Sequence, residues 1–182
     1  MAIEKTVKYS NGQFNMRASA ASLITYREQF GVEYTSDFSA AVKSPLTAVK
    51  VGYRLIWAMA KCADNAIPDP ETFREMLGDD FDILGAVDDA AELMHKSLGG
   101  YAEETADGEV TEDDENLSEK MTGFALRCGF SVADLNDISV GFLLRCIENF
   151  SGDGSSKSNT ADSGVRDATA DDVANFVKFL GG

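Results

Sequence analysis

The side chains that could support chemistry are few and far apart. His95 is the single histidine, and the three cysteines stand at 62, 128 and 146. A structural zinc site needs four clustered Cys or His ligands, and these four follow the spacing of no known zinc module. No serine or cysteine lies beside His95 in a nucleophile signature. There is neither a phosphate-cradling P-loop nor a GxGxxG turn. His95 therefore reads as a surface or boundary residue. The odd, scattered cysteines, with no secretory leader in MAIEKTVKYS, read as reduced, cytosolic and structural. One acidic run comes closer to a site. Residues 103–115, EETADGEVTEDDE, hold eight carboxylates and no cation. Counted from Glu103, a glycine falls at position 6, an apolar residue at 8 and a carboxylate at 12, as in a calcium loop. Glu at position 1, Thr at 3 and the short Asp at 12 depart from that pattern, and Gly99-Gly100 breaks the helix that should enter it. The run is expected to be a mobile linker, with a calcium-responsive binding protein kept as an alternative. No catalytic residue, metal or cofactor is assigned, and the chain is expected not to be an enzyme.

The charge agrees with a binding protein of some other kind. Residues 1–98 carry 10 basic and 14 acidic side chains, net −4, and residues 99–182 carry 6 and 17, net −11. A balanced first half before an acidic second half predicts a folded body followed by solvated segments. A total of −15 over 182 residues argues against nucleic acid held through its phosphates. The hydrophobic fraction of 44% is enough for a core.

The element that should organise this core is the stretch 45–64, PLTAVKVGYRLIWAMAKCAD. At ~100° per residue, Val49, Tyr53, Ile56 and Ala60 form one apolar stripe, and Val51, Leu55, Met59 and Cys62 another. Lys50, Arg54 and Lys61 interrupt it, so it is a core helix and not a membrane span. These three share a narrow side with Thr47 and Trp57. That side reads either as cationic stems covering the Trp57 ring or as a contact strip of Arg54, Trp57 and Lys61.

Around it the sequence predicts a mainly α fold. Residues 3–17 form a β-hairpin about Asn11-Gly12 in a type I′ turn, pairing Tyr9 with Phe14 and Val7 with Met16. Ser19 caps a helix to Phe30, with Leu23, Tyr26 or Arg27, and Phe30 inward and Gly31 closing it. A short helix over 36–43 has Phe38 and Val42 inward. Asp69 and Pro70 start another helix to Leu77, and 83–98 follows with Val87, Ala90, Ala91, Met94 and Leu98 on one face. Beyond the acidic linker at 99–116, a small helical extension over 117–150 places Leu117, Met121, Phe124 and Cys128, then Leu135, then Phe142, Leu143, Cys146, Ile147 and Phe150 on apolar faces. It has too few residues for much of a core alone and must dock on the body or on something else. A Ser/Gly/Asp-rich tether at 151–168 precedes a terminal amphipathic helix at 169–182 with Val173, Phe176, Val177 and Leu180 in line.

This order of pieces resembles a known family. KYSNGQF, SAASLITYREQFG, GYRLIWAMAKCAD and IPDPETFREML, spanning residues 3–98, are similar in sequence type to the tail assembly chaperones of long-tailed phages and prophages. FALRCGFSVADLNDISVGFLLRCIENF and ATADDVANFVKFL resemble the C-terminal extension that many such chaperones gain by translational frameshifting. The resemblance implies a non-enzymatic protein of the host cytoplasm that coats the tape measure protein and recruits tail tube subunits, with self-association as a further expectation and neither nucleic acid nor membrane as a partner. The contacts it suggests are Arg54, Trp57 and Lys61 on the body, Phe124, Phe130, Phe142, Leu143 and Phe150 on the extension, and Phe176 and Leu180 on the last helix. For the extension residues the competing reading is a small core of their own. An acidic decoy that mimics DNA is the other alternative. It needs carboxylates spaced regularly over a rigid surface, whereas the densest acids here fall in 103–115.

Overall fold

A computed structural model describes residues 1–42, 44–99, 116–131 and 133–151. The acidic run with its calcium-like spacing lies outside them, as do the tether beyond Ser151 and the terminal helix with Phe176 and Leu180. Within the described residues the chain is mainly helical, with a two-stranded antiparallel hairpin at its start.

Strands β1 (Ile3–Tyr9) and β2 (Gly12–Ala18) pair Val7 with Phe14, Lys5 with Met16 and Tyr9 with Gly12. The expected pairing of Tyr9 with Phe14 and Val7 with Met16 is thus displaced by two residues. The turn is centred on Ser10-Asn11, and neither Asn11 nor Gly12 has the positive φ of a type I′ turn. A shift of two leaves the inward set unchanged, so hydrophobic patterning cannot choose between the registers. Side-chain fit can. The Tyr9 ring covers Gly12 so closely that a Cβ there would lie 3.0 Å from the tyrosine oxygen. On the outer face Thr6 donates to Asn15 at 2.8 Å and Arg17 pairs with Glu4. Val7, Phe14, Met16 and Ala18 are buried on the inner face.

Helix α1 (Ala20–Phe30) follows Ser19 and ends at Gly31, whose φ of 70° only glycine adopts readily. Leu23 and Tyr26 face in, as expected. Helix α2 (Tyr34–Ala41) is rotated from its expected setting. It starts at Glu33 and turns Tyr34, Asp37 and Ala41 toward its neighbours, leaving Phe38 and Val42 exposed. The cause is Asp37, which accepts from the Tyr26 hydroxyl and from Arg54 Nη1, each at 2.6 Å. A partly buried carboxylate with two donors outweighs the burial of two apolar side chains on the opposite face.

Helix α3 (Pro45–Ala63) is the central element, packed against β2, α1, α2 and a later helix over Ile83–Leu98. Its burial varies along its length more than around its girth. From Val51 to Ala60 all but Tyr53 and Arg54 are buried, while Leu46 and Lys50 in its first turns are exposed. Helix α4 (Pro70–Leu77) is capped by Asp69. The Asp69 carboxylate accepts from Thr72 Oγ1 at 2.7 Å and from the Thr72 and Glu71 amides at 3.1 Å. These bonds, the Thr72 hydroxyl first, hold its pKa below the ordinary aspartate value. Folding therefore favours the charged form. The cap's contribution is complete above the unfolded pKa, about 3.9, and is lost as pH falls through the lower folded value. Asp69→Asn can still cap, so its Tm should fall less steeply than wild type on acidification. Parallel Tm curves for the two proteins would refute this assignment.

Helix α5 (Ile83–Leu98) buries Ala86, Ala90, Leu93 and Met94 and ends at Gly99. Helix α6 (Leu117–Arg127), a single 3-10 turn at Asp134–Asn136 and helix α7 (Val140–Ser151) complete the described chain. The sequence divides the body from the extension, but the core does not. Met121, Phe124, Leu135, Val140 and Leu143 belong to the same buried cluster as Ile56 and Phe73, and Met1–Gly152 is one unit. Polar ties reinforce this. The Val140 amide donates to Ser97 Oγ at 3.1 Å, and Ser97 Oγ donates to the Ala18 carbonyl at 3.2 Å, joining α7, α5 and β2. The Ala2 and Ala20 amides donate to the Asp137 and Ile138 carbonyls. The 117–151 region thus docks on the body, one of the two outcomes its small size allowed.

Candidate functional site

Leu46, Val49, Lys50 and Tyr53 recur at the spacing of one helical face. Ser44 accepts from the Thr47 amide and Pro45 occupies the first turn, so the helix begins here and holds that face at its outer end. Opposite stand Arg74 and Leu77 at the close of α4, the turn at Gly78 with φ of 80°, and Phe81 and Ile83 leading into α5. Together these residues line a groove of about 580 Å³. Its floor is held firmly. The Tyr53 hydroxyl donates to the Pro70 carbonyl, its ring lies 6.3 Å from that of Phe73, and burial pushes the phenol up to about 12. Tyr53 therefore presents a neutral ring throughout the physiological range. Lys50 and Arg74 are exposed on the rim.

Large apolar side chains are exposed near the start of α3. Leu46 is 83% exposed, Val42 76% and Phe38 51%, all flanking the junction of α2 and α3. Single exposed leucines are ordinary, whereas a run of large apolar side chains beside a concavity marks an interaction surface. What this surface can do chemically is remove apolar area of another molecule from water, at about 25 cal/mol per Å².

The expected contact strip on α3 is used differently. Trp57 is 3% exposed, donates from Nε1 to the Pro68 carbonyl at 2.8 Å and meets Phe30 edge-on at 5.7 Å. Lys61 donates to the Asn65 and Ile67 carbonyls. Arg54 pairs with Asp37 and lies 4.9 Å from the Phe30 ring centre. Helix α2 and the 64–69 loop thus close over most of the strip. Only Trp57 and Lys61 share a concavity, about 490 Å³, which also takes in Thr25, Cys62 and Asn136. The Cys62 thiol, 3.4 Å from Thr25 Oγ1, is pushed up by burial, and all three cysteines are free.

The extension residues separate. Phe124 and Leu143 are buried in the common core and Phe130 packs against it, while Phe142 and Phe150 are partly exposed. The Phe150 ring sits 5.7 Å from that of Phe124. The structure therefore does not gather the expected residues into one face. It instead exposes Leu46, together with Phe38 and Val42, which periodicity had placed inside. One signal could have found them: Asp37 is an acid beside Phe38, and a basic strip on α3 was waiting for a partner.

Among the described residues no group of three or more His, Cys, Asp or Glu side chains could hold a metal ion. No helix there is long and apolar enough to cross a membrane. Against protein-family profiles, curated proteins and solved structures, the chain finds no match.

Proposed function

We propose that this chain is a non-enzymatic chaperone of phage tail assembly, which keeps the tape measure protein soluble and brings tail tube subunits to it. The observation that carries the reading is the set of exposed apolar side chains Phe38, Val42 and Leu46 about the α2–α3 junction, with Leu46 also lining the groove, on an otherwise acidic helical body. A protein whose task is to cover apolar helices needs such a surface, and a large negative charge keeps it soluble meanwhile. The order of segments over residues 3–98, with its resemblance to tail assembly chaperones, supplies the identity of the client.

The test is co-expression with a phage tape measure protein. The soluble fraction of the tape measure protein should rise with the wild-type chain and fall back with Leu46→Asp. Leu46 is solvent-facing, so this change should leave Tm nearly unaltered. No gain in solubility with the wild-type chain would remove the proposal.

A further inference from the structure

We infer that the groove between the start of α3 and the Gly78 turn binds an amphipathic helix whose apolar stripe is flanked by carboxylates. The inference rests on the reading of this surface as a client-docking site and adds the chemistry of what docks.

The groove walls are helices and a tight turn and include no open strand edge, so they offer no ladder of backbone donors and acceptors. An extended peptide laid there would bury amides and carbonyls with nothing to pair them. A helix satisfies its own backbone and offers only side chains, the mode by which apolar stripes enter grooves. Leu46 to Tyr53 spans roughly two turns of α3, so the occupant needs about three turns to cover it.

In an acidic protein cations are quickly taken up, and most described ones are. Lys5, Arg17, Arg27, Arg54 and Lys96 are in ion pairs with Asp or Glu. Lys61 and Arg145 bind backbone carbonyls. Lys8, Lys50, Arg74 and Arg127 have no such partner among the described residues, and of these four Lys50 and Arg74 border this one groove. Asp79 is the only acid lining it, at the Gly78 end, so the groove is net positive in a chain of −15. Apolar surface between two unpaired cations selects a stripe with acids on its flanks. The same cations repel a helix flanked by lysine, which sets the discrimination.

The test uses the full chain and two synthetic helical peptides of about 18 residues, with the same leucine stripe at i, i+3, i+4 and i+7 and either glutamate or lysine on its flanks. The glutamate peptide should bind roughly threefold to tenfold tighter at low salt, a preference that salt diminishes. Its amide shift changes should centre on Leu46, Lys50, Tyr53 and Leu77. In the double variant Lys50→Glu/Arg74→Glu the preference should reverse. Both positions are exposed, and circular dichroism checks that the fold is kept. Equal binding, tighter binding of the lysine peptide, shifts elsewhere on the surface, or no binding of either peptide would overturn the inference. These outcomes are independent of tape measure solubility. A glutamate preference without any rescue of the tape measure protein would retain the groove chemistry and discard the client.

Discussion

Gly141→Ala is expected to lower stability by about 3 kcal/mol, because over-packing here would press on backbone that cannot turn aside. A Cβ built at Gly141 would lie 1.9 Å from the Leu98 carbonyl oxygen and 2.6 Å from its carbon. Position 141 opens α7 where it crosses the end of α5, next to the bond from the Val140 amide to Ser97 Oγ. Arg145 Nη2 also donates to the Gly99 carbonyl at 2.7 Å, so the whole start of α7 is seated on the last turn of α5. Moving one helix off the other would break both contacts. Gly123 in the middle of α6 provides the control, since a Cβ there meets nothing within 4 Å. Gly123→Ala should stabilise by about 0.5–1 kcal/mol, the helical cost of glycine. Urea midpoints at a common m-value would measure both. Equal effects at the two positions would show that α7 does not rest on α5 in this way.

Glu33→Ala should be of similar severity. Glu33 is buried between three elements, and its carboxylate accepts from the Ser118 amide at 3.2 Å and the Ser118 hydroxyl at 2.6 Å. Arg27 Nε lies 3.2 Å from the same group, and Arg27 Nη2 reaches on to Glu119 at 2.7 Å. One side chain from the α1–α2 connection thus caps the first turn of α6, where the helix dipole favours an anion. Removing it strands the Ser118 amide in a buried place, leaves the Ser118 hydroxyl only the Leu23 carbonyl at 3.3 Å, and leaves Arg27 with only the exposed Glu119. We expect a loss of about 3 kcal/mol. Glu33→Gln keeps an acceptor for Ser118 but not the charge facing Arg27, so it should cost roughly half as much. Chemical denaturation of the two variants beside wild type decides the matter, and values within about 0.5 kcal/mol of wild type for both would contradict the assignment. Slower amide exchange in α1 than in α6 of Glu33→Ala would further locate the damage.

Both contacts join residues far apart in the chain, and neither was legible beforehand. The reason is physical. Ser118 reads locally as an ordinary start of a helix, and Gly141 as a weak point in one. That a carboxylate 85 residues earlier meets Ser118 depends on where α1 and α2 place it. The same holds for the groove. Tyr53 reads as part of an apolar stripe, and only the placement of α4 and the Gly78 turn against α3 leaves a concavity lined by Tyr53, Leu77 and Phe81. The strip of Arg54, Trp57 and Lys61 shows the converse. A helical wheel places these three on one side, but it cannot show that a loop carrying the Pro68 carbonyl and a helix carrying Asp37 will fold over that side.

Taken alone, the chain's residues determine the elements. Local signals act over a few positions: Ser19 before α1, Pro45 and Pro70 at first helical turns, Gly31, Gly78 and Gly99 at helix ends, and apolar periodicity between them. These set α5 and most of α1, α3, α4, α6 and α7 to within a residue or two, because the competing conformations are excluded by backbone sterics and capping. Tertiary structure decided what period-two and period-3.6 patterns leave degenerate. It chose the hairpin register through the fit of Tyr9 over Gly12, the rotation of α2 through Asp37, and the seating of α6 and α7 on the body through Glu33, Ser97 and Gly141. Each of those choices rests on one buried polar group or one close backbone approach, and such contacts have no local signature because their partners meet only once the chain has folded.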